Sequence, residues 1–322
     1  MEEKVYDVVI VGAGPAGLTA AIYTTRRALK TLVISKDIGG QLSLTDDIEN
    51  YPGFKSIGGI ELAQKFQEQA VGTGSEFLFE EVTEIVKSDV REEGGFVVKT
   101  ITDKKIKTKT IILGFGLTPR ALDVPGEKEL TGRGISYCAT CDGPLYKDKN
   151  VVVVGGGNSA MDAGEYLSKI AKHVYMFVRG DKFKGEKVLA QQIHDADNIK
   201  VFFGAKAKEV KGKDRVESFV YTDIDGKENE IKVDGIFIEI GHLASTKWLI
   251  PLGLGIDEHN QIKINFNNET NIPGIFAAGD ITEITYKQAV ISAGEGSKAA
   301  LQAYKFIQGD KPLIPDWAPK KK

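Results

Sequence analysis

Val8-Val9-Ile10-Val11-Gly12-Ala13-Gly14-Pro15-Ala16-Gly17 stands near the start of the chain, and Val151-Val152-Val153-Val154-Gly155-Gly156-Gly157-Asn158-Ser159-Ala160 repeats its pattern in mid-chain. Each stretch is a β-branched run, suited to a strand buried on both faces, that meets a Gly-x-Gly-x-x-Gly/Ala turn. A helical pattern follows each turn, Pro15 to Arg27 and Ala160 to Ala171, and each leads to a further apolar strand, Thr31–Ser35 and Val174–Val178. The offset from first glycine to the end of that strand is 23 residues in both copies (12 to 35, 155 to 178). That is the size of a mononucleotide-binding β-α-β unit. One glycine turn alone is also what an ordinary tight strand-to-helix connection looks like. Two copies, each with its strand, helix and second strand, are far more specific. The first glycine permits the tight turn, the second lets backbone approach a pyrophosphate, and the third allows close helix–strand packing. The helix N-terminus then offers unpaired N–H groups and a positive dipole end to the phosphates. The fold class expected is therefore α/β, with two Rossmann-like, doubly wound dinucleotide-binding domains.

The 322 residues suffice for two domains of ordinary size. A net charge of −3 leaves no basic excess to hold a nucleic-acid backbone, so no nucleic-acid partner is expected. No apolar run reaches the roughly 18 to 20 residues that span a bilayer, so no membrane role is expected. The start, Met1-Glu2-Glu3-Lys4, is acidic and enters an apolar strand at once, unlike a secretory leader. The tail, Trp317 to Lys322, reads as a solvated end, and the chain as cytoplasmic.

The two cysteines, Cys138 and Cys141, lie three apart, and the four histidines (His173, His194, His242, His259) lack close paired spacing. A structural zinc site takes four Cys or His ligands, so no metal is expected. A Cys-x-x-Cys pair closes and reopens a small disulfide ring, one thiol attacking a partner's disulfide and the other resolving the mixed disulfide. A purely structural bridge is disfavoured in a reducing compartment and would close too short a loop to constrain much chain. Two unrelated buried thiols are the remaining alternative. Further on, Ile272 to Asp280 reads as a short strand ending in Gly-Asp, and a long helical stretch follows from about Lys287 to Ile307.

With these parts in order, the chain resembles the low-molecular-weight thioredoxin reductases of the two-dinucleotide-domain flavoprotein family, from about Tyr6 to about Tyr304. Gly12, Gly14, Pro15, Ala16 and Gly17 match that family's FAD-pyrophosphate turn. Gly39-Gly40-Gln41-Leu42 and Glu49-Asn50-Tyr51-Pro52-Gly53 match two flavin-side loops, among which Gly40, Gln41, Leu42 and Asn50 stand as FAD residues. Cys138-Ala139-Thr140-Cys141-Asp142 matches the redox motif, and Gly279, Asp280, Gln288 and Ala289 match the C-terminal FAD segment. The resemblance implies a discontinuous FAD domain, roughly 1–118 plus 247–322, with a nicotinamide domain, 119–246, inserted in it. The runs Thr110–Gly116 and Gly235–His242 are expected as the paired connecting segments, with Gly114, Gly116 and Gly241 as candidate hinge glycines. Cys141 would face the flavin, Cys138 would attack the protein substrate, and Asp142 would serve as acid–base partner. On residues alone, Asp142 is a turn carboxylate ahead of Gly143-Pro144. The implied partner is a thioredoxin-like protein and the implied assembly a homodimer.

The nicotinamide site departs from the family's pattern. Gly155, Gly157, Asn158, Ser159 and Ala160 supply the turn, but the family's His-Arg-Arg with a further distal Arg is here Val178-Arg179-Gly180, with Lys184 at the distal place. Arg179 and Lys184 form a reduced clamp for the 2′-phosphate of NADPH, Lys lacking the bidentate fork of Arg. Alternatively, NADH is used, or the site is vestigial and ferredoxin or a deazaflavin supplies the electrons. The intact turn residues Gly155, Gly157 and Ala160 favour retained dinucleotide binding, and NADPH is the donor expected. At the first turn the ribose position is Ser35-Lys36, with Asp37 just beyond, and Gly114-Phe115-Gly116 replaces a more usual Ala-Thr-Gly. Neither change removes the phosphate-binding turn. Rival readings are a flavin oxidase or ferredoxin–NADP reductase of the same architecture, the latter lacking a Cys pair, and a redox sensor that toggles its disulfide without turnover. A peroxide-reductase flavoprotein would carry an additional N-terminal redox domain.

Overall fold

The computed structural model describes residues 4–45, 48–88 and 95–309; the Met1–Glu3 start and the Trp317–Lys322 tail lie outside the described residues. The chain forms two compact units, Met1–Leu42, Glu61–Leu117 and Ala244–Lys322 in the first, Ser43–Ile60 and Thr118–Leu243 in the second.

In the first unit β1 (Val5–Val11) enters the first glycine turn and α1 (Pro15–Arg26), and β2 (Thr31–Ile34) returns parallel to β1, Val8 opposite Thr31 and Val11 opposite Ile34. Helix α1 starts on Pro15, whose fixed φ suits a first helical position and whose missing N–H costs nothing there. After α2 (Gly59–Gly72), strands β3 (Glu76–Leu78), β4 (Val82–Ser88), β5 (Gly95–Thr100) and β6 (Lys105–Leu113) complete a sheet ordered β3-β2-β1-β6-β5-β4. The β-branched runs are buried on both faces. Val8, Ile10, Val33 and Ile112 join one core with α1; Val9, Val11, Ile34, Ile111 and Leu113 join the opposite one.

The second unit begins with β7 (Thr118–Pro119), α3 (Glu127–Leu130), β8 (Ile135–Ser136) and α4 (Ala139–Asp142). Then β9 (Asn150–Val154) enters the second glycine turn and α5 (Asn158–Ser168), followed by β10 (His173–Val178), α6 (Lys187–Asp195) and β11 (Ile199–Phe203). An antiparallel meander, β12 (Lys206–Lys211), β13 (Ser218–Thr222) and β14 (Glu228–Lys232), precedes β15 (Gly235–Ile238) and β16 (His242–Leu243). The main sheet is parallel and ordered β11-β10-β9-β15-β8. Side chains alternate across it: Val151, Val153 and Phe237 pack with α5, whereas Val152, Val154, Ile236 and Ile238 pack with the meander. Strand order reverses between β9 and β15, so the crevice at their carboxyl ends is the topological switch point where a doubly wound sheet binds its ligand.

Back in the first unit, β17 (Ile275–Ala277) pairs with the carboxyl half of β6, beyond the stretch that β5 occupies. The last helix, α7 (Ala289–Ile307), packs against α1 through small residues. A Cβ on Gly296 would lie 2.1 Å from the Ala16 carbonyl oxygen, and Ala299, Ala300 and Ala303 are buried beside it. Among the described residues no helix is long and apolar enough to cross a membrane.

Several expected boundaries move. Helix α5 covers Asn158–Ser168 rather than Ala160–Ala171, because the glycine turn ends at Gly157. The runs Thr110–Gly116 and Gly235–His242 are largely core: Thr110–Leu113 ends β6, and Gly235–Ile238 is the fully buried β15. The chain instead passes between units on β7 and β16, a two-residue antiparallel ladder pairing His242 with Pro119 and Leu243 with Thr118. Two exposed or half-exposed residues per strand leave no periodicity to read. The segment Ser43–Ile60, placed in the first domain by sequence, packs in the second unit, where Ile48 and Ile57 form an antiparallel bridge.

Candidate active site

The first glycine turn is shaped by what its glycines exclude. Gly12 has φ +103°, and a Cβ there would lie 2.6 Å from Gly114 O; a Cβ on Gly17 would lie 1.9 Å from Gly12 O. A Cβ on Gly114 would in turn lie 3.2 Å from Gly17 N, so a glycine there lets this segment pack closely on the turn. Gly14 is open, its nearest neighbour being Gly39 O at 3.8 Å. Gly39 N–H donates to Ala13 O at 2.8 Å, which lays the Gly40–Leu44 helical turn beside the glycines. Helix α1 has no side-chain cap and no acid in its first turn.

Gln41 Nε2 donates to Asp280 Oδ2 and Ser292 Oγ to Asp280 Oδ1, both at 3.0 Å, so Asp280 is held from two sides. Lys287 Nζ donates to Thr282 O at 2.6 Å, and burial pushes its ammonium pKa down. Gln288 caps α7 and Ala289 begins it, again without a side-chain cap. Two uncapped helix N-termini and an open glycine, which offer N–H donors to a pyrophosphate, together with a braced Asp280 carboxylate, which accepts from ribitol hydroxyls, fit a flavin dinucleotide. Asn50 is exposed and belongs to the Ser43–Ile60 segment of the second unit.

In the second unit Cys138 caps α4 and is disulfide-bonded to Cys141, with Cα atoms 5.3 Å apart. The N–H groups of Cys141 and Asp142 both donate to Cys138 O, at 3.2 and 3.1 Å. Both cysteines are half-buried. Asp142 is only 6% exposed; Ser136 Oγ donates to its Oδ2 and Thr45 Oγ1 to its Oδ1, each at 2.5 Å. Ser136 Oγ also accepts the Cys138 N–H at 3.0 Å. A Cβ on Gly143 would lie 2.8 Å from the Tyr166 ring, so Gly143 seats the redox helix against α5. The carboxyl is therefore a fixed part of the disulfide's surroundings rather than a loose turn residue.

The second glycine turn keeps the features of the first. Gly155 has φ +150° and packs on Glu239 O and Ala160, while Gly157 has nothing within 4 Å. Helix α5 has no side-chain cap and no acid in its first turn, and Ser159 is exposed there. This fits a nicotinamide dinucleotide's pyrophosphate. Val178 packs on Gly156, where a Cβ would meet its Cγ1 at 2.6 Å, which accounts for an apolar residue in place of His. Lys184 N–H donates to Gly156 O at 2.7 Å, and Glu186 N–H to Asn158 Oδ1 at 2.9 Å. The 184–186 loop is thus tied to the turn, and the Asn158 side chain does the tying. The exposed Arg179 and Lys184 side chains have no hydrogen-bond or ion-pair partner among the described residues.

Sequence reasoning missed Thr45, Ser136, Ser292 and Glu239. The three hydroxyls carry no local signal, since their partners are distant in sequence or indistinguishable from ordinary turns. Glu239 did carry one: an acid interrupting the apolar run Gly235 to Ile240. Its Oε1 accepts the Ala139 N–H at 3.4 Å, and burial, aided by Asp162, pushes its pKa up to about 7.

Comparison with known proteins adds the following. The family described as pyridine nucleotide-disulphide oxidoreductase matches residues 6–296. The chain is 42% identical over 310 residues to a thioredoxin reductase of Bacillus subtilis, covering 95% of this chain and 96% of that protein. It is 39% identical over 310 residues to a thioredoxin reductase of Listeria monocytogenes, covering 95% of each. The crystal structure of thioredoxin reductase from Streptococcus pyogenes superposes with a TM-score of 0.88 at 34% identity, covering 94% of this chain and 98% of that one.

Proposed function

The chain belongs to the pyridine nucleotide-disulphide oxidoreductase family, and we propose that it is a thioredoxin-disulfide reductase that draws electrons from NADPH. The observation that carries this reading is the Cys138–Cys141 disulfide, set against a buried Asp142 in the same unit as an intact dinucleotide turn. FAD, when bound in the first unit, supplies a relay that accepts two electrons from a nicotinamide donor and passes them to a disulfide. The turn Gly12–Gly17, the Gly40–Leu42 loop, Asp280 and the α7 N-terminus hold it. Arg179 and Lys184, both without a hydrogen-bond or ion-pair partner among the described residues, would hold the 2′-phosphate of NADPH, and the α5 N-terminus its pyrophosphate.

In the reduced pair, Cys138 attacks the disulfide of a thioredoxin-like protein as a thiolate. A new S–S bond forms to Cys138, and the partner's second sulfur leaves with the bonding electrons and takes a proton from Asp142. Cys141, losing its proton to Asp142, then attacks Cys138 Sγ. The Cys138–Cys141 bond re-forms; the partner's first sulfur leaves with the bonding electrons and takes from Asp142 the proton that Cys141 gave up, so that the partner departs as a dithiol. Ser136 and Thr45 hold the Asp142 carboxylate in place through both steps. We take the working form to be a cytoplasmic homodimer, with a sedimentation mass twice the 35.0 kDa of one chain.

The test supplies NADPH, NADH or reduced ferredoxin separately to the purified yellow protein under anaerobic conditions. NADPH should bleach the flavin fastest, and subsequent oxidised thioredoxin should restore the colour. Cys138→Ser should still bind flavin but no longer reduce thioredoxin. Thioredoxin turnover surviving in that variant, or bleaching by ferredoxin alone, would refute the reading.

A further inference from the structure

Glu239 is a carboxyl that the thiol chemistry above does not use. It directly follows β15, and its N–H donates to Val154 O at 2.8 Å at the carboxyl end of β9. Its carbonyl oxygen lies over the glycine turn, 2.3 Å from where a Cβ on Gly155 would stand. Its side chain reaches the redox helix, accepting the Ala139 N–H. One residue therefore touches both the nucleotide turn and the helix that bears the disulfide. It also stands at the β9–β15 switch point, the crevice a dinucleotide crosses on a doubly wound sheet.

The charges around Glu239 are mostly its own sign. Asp162 on α5 acts on it, and Asp162 is itself raised by burial, by Glu186 at the start of α6 and by Glu165. On the redox helix Asp142 is held by Ser136 and Thr45. From β9 and its turn no titratable side chain faces it. The segment Gly235–Leu243 carries no Lys or Arg; just past the opposite strand β7, Arg120 Nε would lie 3.9 Å from a Cβ on Gly241. No cation is ion-paired with Glu239 among the described residues. With its pKa at about 7, it is largely ionised at the alkaline end of the physiological range.

We propose that Glu239 makes dinucleotide binding to the second unit proton-linked: an anionic pyrophosphate entering the crevice beside Gly155 takes up one proton at Glu239. The inference rests on the nucleotide assignment made above. A dianion placed beside an ionised carboxylate in a partly desolvated crevice disfavours the charged form of that carboxylate. By linkage, whatever raises the proton affinity of Glu239 is itself bound more tightly when Glu239 is protonated. Below about pH 7 the carboxyl is already neutral and binding moves no proton. Above it, binding must draw one from solvent, and affinity falls as pH rises.

The probe is tetrahydro-NADP, whose ring is neutral and gives no hydride, titrated calorimetrically into the flavin-loaded protein in two buffers of different ionisation enthalpy. Wild type should take up a fraction of a proton per site that grows towards about one above pH 7, with affinity weakening about tenfold per pH unit until the pKa of the complex is reached. Glu239→Gln preserves an acceptor for Ala139 N–H and should lose both effects, binding more tightly than wild type at about pH 8.5. Comparing the two proteins cancels titration of the ligand's own phosphate. Asp162→Asn should shift the onset of uptake to lower pH, and it serves independently if the Gln variant does not fold. Equal uptake in wild type and Glu239→Gln, or an onset unmoved by Asp162→Asn, would overturn the inference alone. No binding in any of the proteins would overturn the nucleotide assignment and the inference with it.

Discussion

Both carboxylate oxygens of Asp142 accept hydroxyl donors, one from Ser136 and one from Thr45, which fixes the acid beside the disulfide it serves. Asp142→Asn keeps the size and can keep one of those bonds, but it cannot exchange a proton. Reduction of thioredoxin should fall by about 10²- to 10⁴-fold, the range typical of a lost general acid–base group, measured as single-turnover thiol exchange from the prereduced protein. An undiminished rate would return Asp142 to a purely structural role. At the second glycine turn, Arg179→Ala should raise the KM for NADPH about tenfold or more with kcat little changed, and Lys184→Ala should do so less. Steady-state kinetics check both, and an unchanged KM in the Arg179 variant would remove the phosphate clamp. At this scale the sequence was most legible where chemistry depends on spacing, as in the Cys138–Cys141 pair. It was silent where chemistry depends on who is brought near, because nothing near Thr45 in sequence points to residue 142.

The two glycine turns were legible as elements because strand, turn and helix each constrain residue type at fixed spacing. Their mid-helix counterpart was not. Gly296 lies in α7 among ordinary small residues, yet a Cβ there would meet Ala16 O at 2.1 Å, whereas Gly294, two residues earlier, has nothing within 4 Å. The two substitutions should therefore diverge in sign. Gly296→Ala pushes α7 off α1, the helix that starts the flavin turn, and should cost about 1–3 kcal/mol. Gly294→Ala should stabilise by about 0.5–1 kcal/mol through reduced backbone entropy in the unfolded chain. Chemical denaturation of the two variants separates them, and equal effects would contradict the close α1–α7 contact. The β7–β16 ladder also escaped the sequence. Two residues per strand are too few for alternation, so longer apolar runs on either side were read as the connections although they are core strands.

For the whole molecule, tandem dinucleotide folds with the second interrupting the first were readable from the order of the motifs. The grouping of Ser43–Ile60 with the second unit was not, since it depends on tertiary contacts such as Thr45 to Asp142 and not on position in the chain. What unites the two units functionally is that one chain should store electrons in two places, a flavin and a disulfide. Anaerobic titration with dithionite measures that capacity directly. Each reductant equivalent carries two electrons, so the wild-type protein should take up about two equivalents per flavin and Cys141→Ser about one. Uptake of about one equivalent by both proteins would place the Cys138–Cys141 pair outside the electron path and contradict the account.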